Sequence, residues 1–407
     1  MHILLIHQAF AGLNEAGGTR HYEMAQYLAR HGHTVTIIAS PVSYLTGKSH
    51  NTHMKWVERE TPEPGITILR TYTYSALHRS FFHRLLSFFS FMISSFFVGC
   101  SVRHVSVVWG TSPPIFQGLA AWLLARLKGV RLLFEVRDLW PAFAIAIGVL
   151  KNPLLIRLSQ GLERFLYRHC DLLVVNSPGF IEHVKARGAK QVILIPNGVE
   201  PTMFNPASRG ESFRQRISND PCFIVLYAGA FGISNDLTVL LDSARQLLTH
   251  PEIRFVLVGD GKEKASLQTC AARLSLTNVF FQPPVPKNQM SEVLAASDAC
   301  IAILKPLEMY KTTYPNKVFD YMAAGRATLC CIAGVIRQVI EESHGGIYVP
   351  PGNSAELSAA ILKLSSDPIL AHQMGENARA YVESHFNRQA FSAIMEEKLI
   401  SLDKHHE

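Results

Sequence analysis

The sequence predicts an α/β protein made of two doubly wound, Rossmann-like domains that face each other across a cleft. Short apolar runs rich in Val, Ile and Leu alternate with longer helical patterns along the chain, as in parallel sheets covered by helices on both faces. The chain has 407 residues, whereas single hydrophobic cores stop growing near ~250 to 300 residues. Two alternating series are separated by the polar stretch PASRGESFRQRISNDP over 206–221.

In order, the first series places strands at 3–6, 34–39, 66–70, 105–109, 131–136, 172–176 and 192–195, with helical stretches between most of them. The second places strands at 223–227, 254–258, 279–281, 299–304, 328–331 and 347–349. From Pro368 the pattern is helical and ends in the segment 387–402, which can pack back against the first domain. The expected division is an N-terminal domain over 1–200, a C-terminal domain over 201–375 and returning helices over 376–407. Ligands of doubly wound sheets bind outside the carboxyl ends of the strands, so candidate site residues are sought there.

Composition narrows the function. A hydrophobic share of 48% with 17% charged residues excludes a disordered chain. The formal charge of +7 favours anionic partners, but the basic residues are dispersed and no nucleic-acid motif appears, so nucleic acid is not expected. The seven cysteines are scattered with no CxxC pair, which suggests neither a disulfide framework nor a zinc site. The opening MHILLIH reads as a strand and leaves no room for a secretory signal, so a cytoplasmic protein is expected.

One segment departs from the pattern: the 18 residues of 85–102, LLSFFSFMISSFFVGCSV, carry no charge and are flanked by Arg79, Arg84 and Arg103. As a helix at ~1.5 Å per residue they reach roughly 27 Å, just short of the ~30 Å hydrocarbon core. A full span is not expected, because it would separate strands that must pair. Ser80, His83, Ser87, Ser90, Ser94 and Ser101 form a small-polar stripe opposite Phe and Leu. Two readings stand: a helix over 80–102 lying in a membrane interface with its Arg and His at anionic head groups, or a buried crossover helix.

Three motifs carry candidate chemistry. Gly17 and Gly18 follow the first strand and precede an amphipathic helix; such glycines let backbone amides approach an anion such as a phosphate, although an ordinary strand-to-helix turn reads the same way. Neither GxGxxG nor GxxxxGK[ST] is present. The segment FEVRDLWPAF places Arg137, Asp138 and Trp140 at the carboxyl end of a strand, where Asp138 can accept a proton from an incoming hydroxyl, orient it, or merely cap the next helix. In KPLEMYKTTYPNKVFDYMAAG, Asn316 is a candidate N-cap and Gly325 a C′ residue. Lys317 and Asp320 lie three apart on one helical face. Lys317 can neutralise a diphosphate and Asp320 can accept two ribose hydroxyls, unless the two form a surface ion pair.

Together GGTRHYEMAQYLARHGHTVTII, SPP, EVRDLWP, IPNGVE, YAGAFG, LVGDG and PNKVFDYMAAG resemble, in content and order, the retaining GT-B-fold glycosyltransferases that use nucleotide sugars, glycosyl transferases group 1. O-antigen and capsule enzymes and bacterial N-acetylfucosamine transferases are the most similar, through EVRDLWP and the Phe/Ser-rich helix. The resemblance implies a nucleotide-sugar site in the second domain built from Gly229, Phe231, Gly232, Val285, Thr312, Thr313, Lys317 and Asp320, assisted by Gly17, Gly18 and Arg20 at the diphosphate. It implies an acceptor site at Arg137, Asp138 and Trp140, with Asp138 and Lys317 catalytic. The family commonly has two Glu separated by seven residues; here Asp320 takes the second position and Thr312 the first, so one acidic contact to the donor sugar is missing. YAGAFGISNDL also lacks the family's usual Arg and Lys, leaving Lys317, with Lys311 and Arg20 as helpers, to supply positive charge.

No Asp-x-Asp occurs, so no metal and no further cofactor beyond the UDP-sugar substrate is expected. The implied acceptor is a polyprenyl-linked saccharide, with the enzyme peripheral on the inner face of the membrane. Two other classes compete: a UDP-sugar epimerase of similar fold, which needs no acceptor, and a non-enzymatic sugar-binding protein.

Overall fold

The computed structural model describes residues 1–43, 47, 49, 55–75 and 80–403; the expected flanking residue Arg79 lies outside them. The chain divides into two compact units, Met1–Gly12 with Gly17–Pro196 and Gln389–Glu407, and Leu13–Ala16 with Asn197–Arg388. The second unit therefore begins at Asn197 rather than 201 and runs past 375 to Arg388. The last shift has a local cause: within that unit Arg379, on the helix Pro368–His385, donates to the carbonyls of Pro201 (2.8 Å) and Phe204 (3.1 Å).

The first unit holds eight strands, β1 (His2–Ile6), β2 (Thr34–Ala39), β3 (Val57–Glu63), β4 (Ile66–Thr71), β5 (Val107–Ser112), β6 (Arg131–Val136), β7 (Leu172–Val175) and β8 (Val192–Leu194), ordered β3-β4-β2-β1-β5-β6-β7-β8. All pairs are parallel except β3 on β4, which is antiparallel. Strand β3 was not expected, because VERETPE carries four charged residues and only one aliphatic one. As an edge strand it pairs on one side only, and charge there discourages further pairing. Strand β5 runs past the expected 105–109 because Gly110, Thr111 and Ser112 pair with Phe134, Glu135 and Val136 despite their weak apolar signal.

Helices α1 (Arg20–Arg30), α2 (Phe81–Ser101), α3 (Phe116–Lys128) and α4 (Pro153–His169) cover this sheet. The expected apolar helix is α2, with Ser80 as its N-cap accepting from the His83 amide at 3.3 Å. It joins β4 to β5 of one sheet, so it does not span a membrane. Its inner face mixes Ser87, Ser94 and Ser95 with Phe88, Phe91 and Val98, all buried, while Phe82, Leu86, Phe89, Ile93 and Phe97 are exposed. The inner serines are bonded, Ser94 Oγ to the Tyr72 carbonyl (2.7 Å) and Ser90 Oγ from the Tyr74 amide (2.9 Å). Gly99 lets α2 and α3 close up, since a Cβ there would meet Leu124 Cδ1 at 2.4 Å.

The second unit has a six-stranded parallel sheet, β9 (Phe223–Ala228), β10 (Ile253–Val258), β11 (Val279–Gln282), β12 (Ala299–Ile303), β13 (Ala327–Cys331) and β14 (Gly346–Tyr348), in the order β11-β10-β9-β12-β13-β14. The strand order reverses between β9 and β12, the switch point at which doubly wound sheets open a ligand site. Its core is aliphatic and aromatic, with Tyr227, Phe231, Phe255 and Leu329 all fully buried.

Candidate active site

At the carboxyl end of β9 the chain turns at Gly229, with a φ of 150° that L side chains rarely adopt, and a Cβ there would lie 2.8 Å from Lys317 Nζ. Lys317 sits in the first turn of α6 (Asn316–Ala323), which follows α5 (Lys287–Ala295) and strand β12 along the chain. Its Nζ donates to Tyr227 Oη at 2.9 Å and lies 4.0 Å from that ring's centroid. Tyr227 in turn donates to the Ala230 carbonyl at 2.7 Å, and Tyr321 of α6 grips the strand end, donating to the Ala228 carbonyl (3.1 Å) and accepting from its amide (3.0 Å). Burial pushes the Lys317 ammonium down to about 7 and the Tyr227 phenol upward. A cation partnered by a neutral phenol keeps its charge for an anion.

Asp320 lies one turn on and pairs with Lys287 Nζ of α5 at 2.6 Å, not with Lys317. Lys287 is buried, 5.2 Å from the Phe204 ring centroid. The pair holds one carboxylate oxygen of Asp320 in place. Asn316 is not the N-cap: Pro315 takes that position without a side-chain cap, leaving the first-turn amides of α6 without one. Gly325 is the C′ residue, at φ 66°, with the Arg326 amide bonded to the Tyr321 carbonyl at 3.1 Å.

The other expected residues separate. Thr312 and Thr313 are half-buried and donate their hydroxyls to the carbonyls of Met309 (2.6 Å) and Tyr310 (2.9 Å). Val285 is half-buried in the loop after β11, and Gly232 lies in the loop after β9. Phe231 is corrected from ligand contact to loop support. Its ring is fully buried, and its amide and carbonyl bond Asp260 O (2.8 Å) and Glu263 N (2.9 Å). Lys311 pairs with Glu308 at 2.6 Å on the surface.

In the first unit, β6 delivers Arg137 and Asp138 to the carboxyl edge of the sheet. Arg137 donates to the Pro113 carbonyl at 3.0 Å. Asp138 Oδ1 is buried without a hydrogen-bond partner, and burial raises its carboxyl to about 7 against the pull of Arg137. It does not cap a helix: the helix Ala142–Ala146 begins after Pro141. The Trp140 ring packs edge-on against Phe116 of α3 at 5.6 Å, and Phe116 lies 4.6 Å from Phe89 of α2. Gly17, at φ 156°, and Gly18 are exposed ahead of α1, whose N-cap Thr19 bonds Glu23 at 2.5 Å rather than the first-turn amides.

Arg20 is the second correction. It is buried, donating to Glu135 Oε1 (3.1 Å), to the Ile195 carbonyl (3.0 Å) and to the Pro196 carbonyl, so its charge is committed inside the unit. Glu135 also accepts from His21 Nε2 (2.8 Å) and Trp109 Nε1 (3.0 Å). Burial pushes His21 down to about 4 despite the pull of Glu135. Burial also opposes ionisation of Glu135, but His21 and Arg20 outweigh it and hold the carboxyl well below the usual range. Glu135→Ala is expected to destabilise the fold by about 3–5 kcal/mol in urea denaturation, because it strands a buried guanidinium; a loss of under about 1 kcal/mol would show that this network does not hold the unit together.

Sequence comparison matches two family models, "Glycosyl transferase 4-like domain" over residues 16–198 and "Glycosyl transferases group 1" over 208–381. A putative colanic acid biosynthesis glycosyl transferase of Escherichia coli, WcaI, is 27% identical over 314 residues, covering 74% of this chain and 76% of the relative. Sucrose-phosphate synthase from Thermosynechococcus elongatus superposes with a TM-score of 0.77 at 19% identity, covering 98% of both chains. HepE of Anabaena, solved with UDP and glucose, gives a TM-score of 0.73 at 15% identity, covering 98% of this chain and 100% of that one. Residues 208–381 thus match the group 1 glycosyl transferases, and the chain has the GT-B fold of two Rossmann-like domains.

Proposed function

We propose that the protein is a retaining, metal-independent glycosyltransferase that moves a sugar from a UDP-sugar to a lipid-linked saccharide acceptor during synthesis of a bacterial surface polysaccharide. The observation that carries this reading is the Lys317 ammonium, enclosed beside Gly229 at the end of β9 with a phenol as its partner. Charge builds on the diphosphate as the anomeric bond breaks, and a fixed cation next to uncapped helix amides stabilises it without reorganising. Asp320, anchored by Lys287, receives the ribose hydroxyls, and Thr312 and Thr313 face the donor sugar. The turn at Gly17 and Gly18 is the corresponding anion-binding element of the first unit.

Asp138 orients the acceptor hydroxyl, which needs its ionised form, and Arg137 and Trp140 line the acceptor side. Retention follows if the hydroxyl enters on the face from which the diphosphate leaves. The likeness to HepE supports UDP as the carrier, and the colanic acid relative supports an acceptor from surface-polysaccharide assembly. An N-acetylated aminosugar is inferred from the resemblance carried by EVRDLWP and the Phe/Ser-rich helix. The exposed stripe of α2 holds the enzyme peripherally on the inner face of the membrane, where a lipid-linked acceptor resides.

Thermal unfolding with a panel of nucleoside diphosphates tests the reading. UDP at ~100 times its Kd is expected to add about 2.7 kcal/mol of stability, and Lys317→Ala or Asp320→Ala to remove that gain. Retention of the full shift by both variants would refute the site. Conversion of a UDP-sugar in the absence of acceptor would mark an epimerase instead.

A further inference from the structure

We propose that the membrane contact is not α2 alone but a three-helix platform, α2, α3 and α4, built to lie on an anionic lipid surface. The inference deepens the peripheral-membrane reading above and rests on it. The connections β4 to β5, β5 to β6 and β6 to β7 all step the same way along the first sheet, so right-handed crossovers put α2, α3 and α4 on one of its faces. The helices are neighbours there: Gly99 of α2 abuts Leu124 of α3, and the Trp122 ring of α3 packs 4.8 Å from Phe165 of α4.

Each helix turns large aliphatic side chains away from the sheet. Besides the α2 stripe, Leu123 and Leu127 of α3 are 39% and 65% exposed, and Leu154 and Leu158 of α4 are 64% and 61% exposed. Single exposed leucines are ordinary, but pairs at helical spacing on adjacent helices make one apolar surface of the kind that marks an interaction site.

Charge selects the occupant. From residue 80 to residue 170 the chain contains only three acidic residues, Glu135, Asp138 and Glu163, and none of them is exposed. Glu163 is held by His183 (2.8 Å) and Arg187 (2.6 Å). Over the same stretch Arg103, Arg126, Lys151, Arg157, Arg164 and Arg168 are exposed. An apolar surface fringed by cations and free of exposed carboxylates fits the head-group boundary of an anionic bilayer. A protein partner or a second copy of this chain, which carries 32 acidic residues, would ordinarily place both signs of charge at such a rim. The ring contacts from Phe89 through Phe116 to Trp140 tie this surface to the loop that carries Asp138, so a lipid-borne acceptor would arrive beside the carboxylate proposed to orient it.

Co-sedimentation of the full chain with vesicles of pure phosphatidylcholine, and of equimolar phosphatidylcholine and phosphatidylglycerol, tests the proposal. Binding is expected to favour the mixed vesicles and to weaken with salt. Leu123→Ser/Leu127→Ser and Leu154→Ser/Leu158→Ser are each expected to weaken it about tenfold or more, and Arg157→Glu/Arg164→Glu to remove most of the preference for phosphatidylglycerol. UDP-induced stabilisation, retained in all three variants, shows that they are folded, while Lys317→Ala should leave vesicle binding intact, so failure of the platform and failure of the donor site are read separately. Wild-type binding by both double-serine variants would confine the contact to α2. Equal binding to both vesicles would remove the anionic-lipid claim. A wild-type dimer in light scattering that the double-serine variants turn into a monomer would show that the surface covers a second copy.

Discussion

Lys317→Met is expected to lower kcat/KM about 10²- to 10³-fold, the usual cost of removing one preorganised group from a developing oxyanion. The loss should appear in kcat more than in KM, since the diphosphate carries most charge as the anomeric bond breaks. The lysine also gives the reaction a pH signature. Burial places it at about 7 in the ligand-free protein, and only its protonated form stabilises the leaving group, so kcat/KM should fall as pH rises above about 7. A bound diphosphate favours the ammonium and lifts it, so UDP binding above that pH should take up a proton, seen as a dependence of the calorimetric heat on buffer ionisation. Both effects should vanish in Lys317→Met; an alkaline limb that persists there belongs to another group.

Asp138→Asn is expected to cost about 10²- to 10⁴-fold in kcat/KM, the range for losing a positioned proton acceptor. Asn keeps the size of the side chain but cannot carry the charge. Burial raises the Asp138 carboxyl to about 7, so the wild-type rate should climb from acid pH through about 7, and the variant should lose that limb. With Lys317 governing the other side, the wild-type profile is a narrow bell near neutrality, and each variant removes one limb. Stability moves the opposite way. The folded carboxyl binds its proton more tightly than the unfolded one, so this residue lowers stability as pH rises from about 4 through about 7. Asp138→Asn should therefore unfold at a higher temperature than wild type at pH 8 and show no such advantage near pH 4. A variant less stable at pH 8 would show that the carboxylate is held by contacts rather than tolerated for function.

Much of the site was legible because its residues lie close together in sequence and their geometry is local. Lys317 and Asp320 are one helical turn apart, Gly325 ends that helix, and Arg137 and Asp138 follow a strand whose bounds the apolar pattern marks. What escaped depends on partners far along the chain. Tyr227 reaches Lys317 across 90 residues, Tyr321 reaches Ala228 across 93, and Lys287 comes from a separate helix to fix Asp320. A buried tyrosine at a strand end looks like core in sequence, and only the pairing of β9 with β12 brings it to the lysine. Arg20 failed for the converse reason: its neighbours in sequence suit a diphosphate, but Glu135, 115 residues away, claims its charge. Phe231 stands in a motif that resembles a ligand loop, yet its ring completes the second core.

By itself the sequence determined the two α/β units, thirteen of the strands and the helix that carries Lys317 and Asp320, because apolar periodicity and turn chemistry act over a few residues. Only the tertiary structure decided which face of α2 is inside. Apolar residues run all round it, and hydrogen bonds from Ser94 to Tyr72 and from Tyr74 to Ser90 turn the face that carries those serines inward. Burial of those hydroxyls against backbone partners satisfies them beside Phe88, Phe91 and Val98, and leaves Phe82, Leu86, Phe89, Ile93 and Phe97 facing outward, where composition alone would have hidden them.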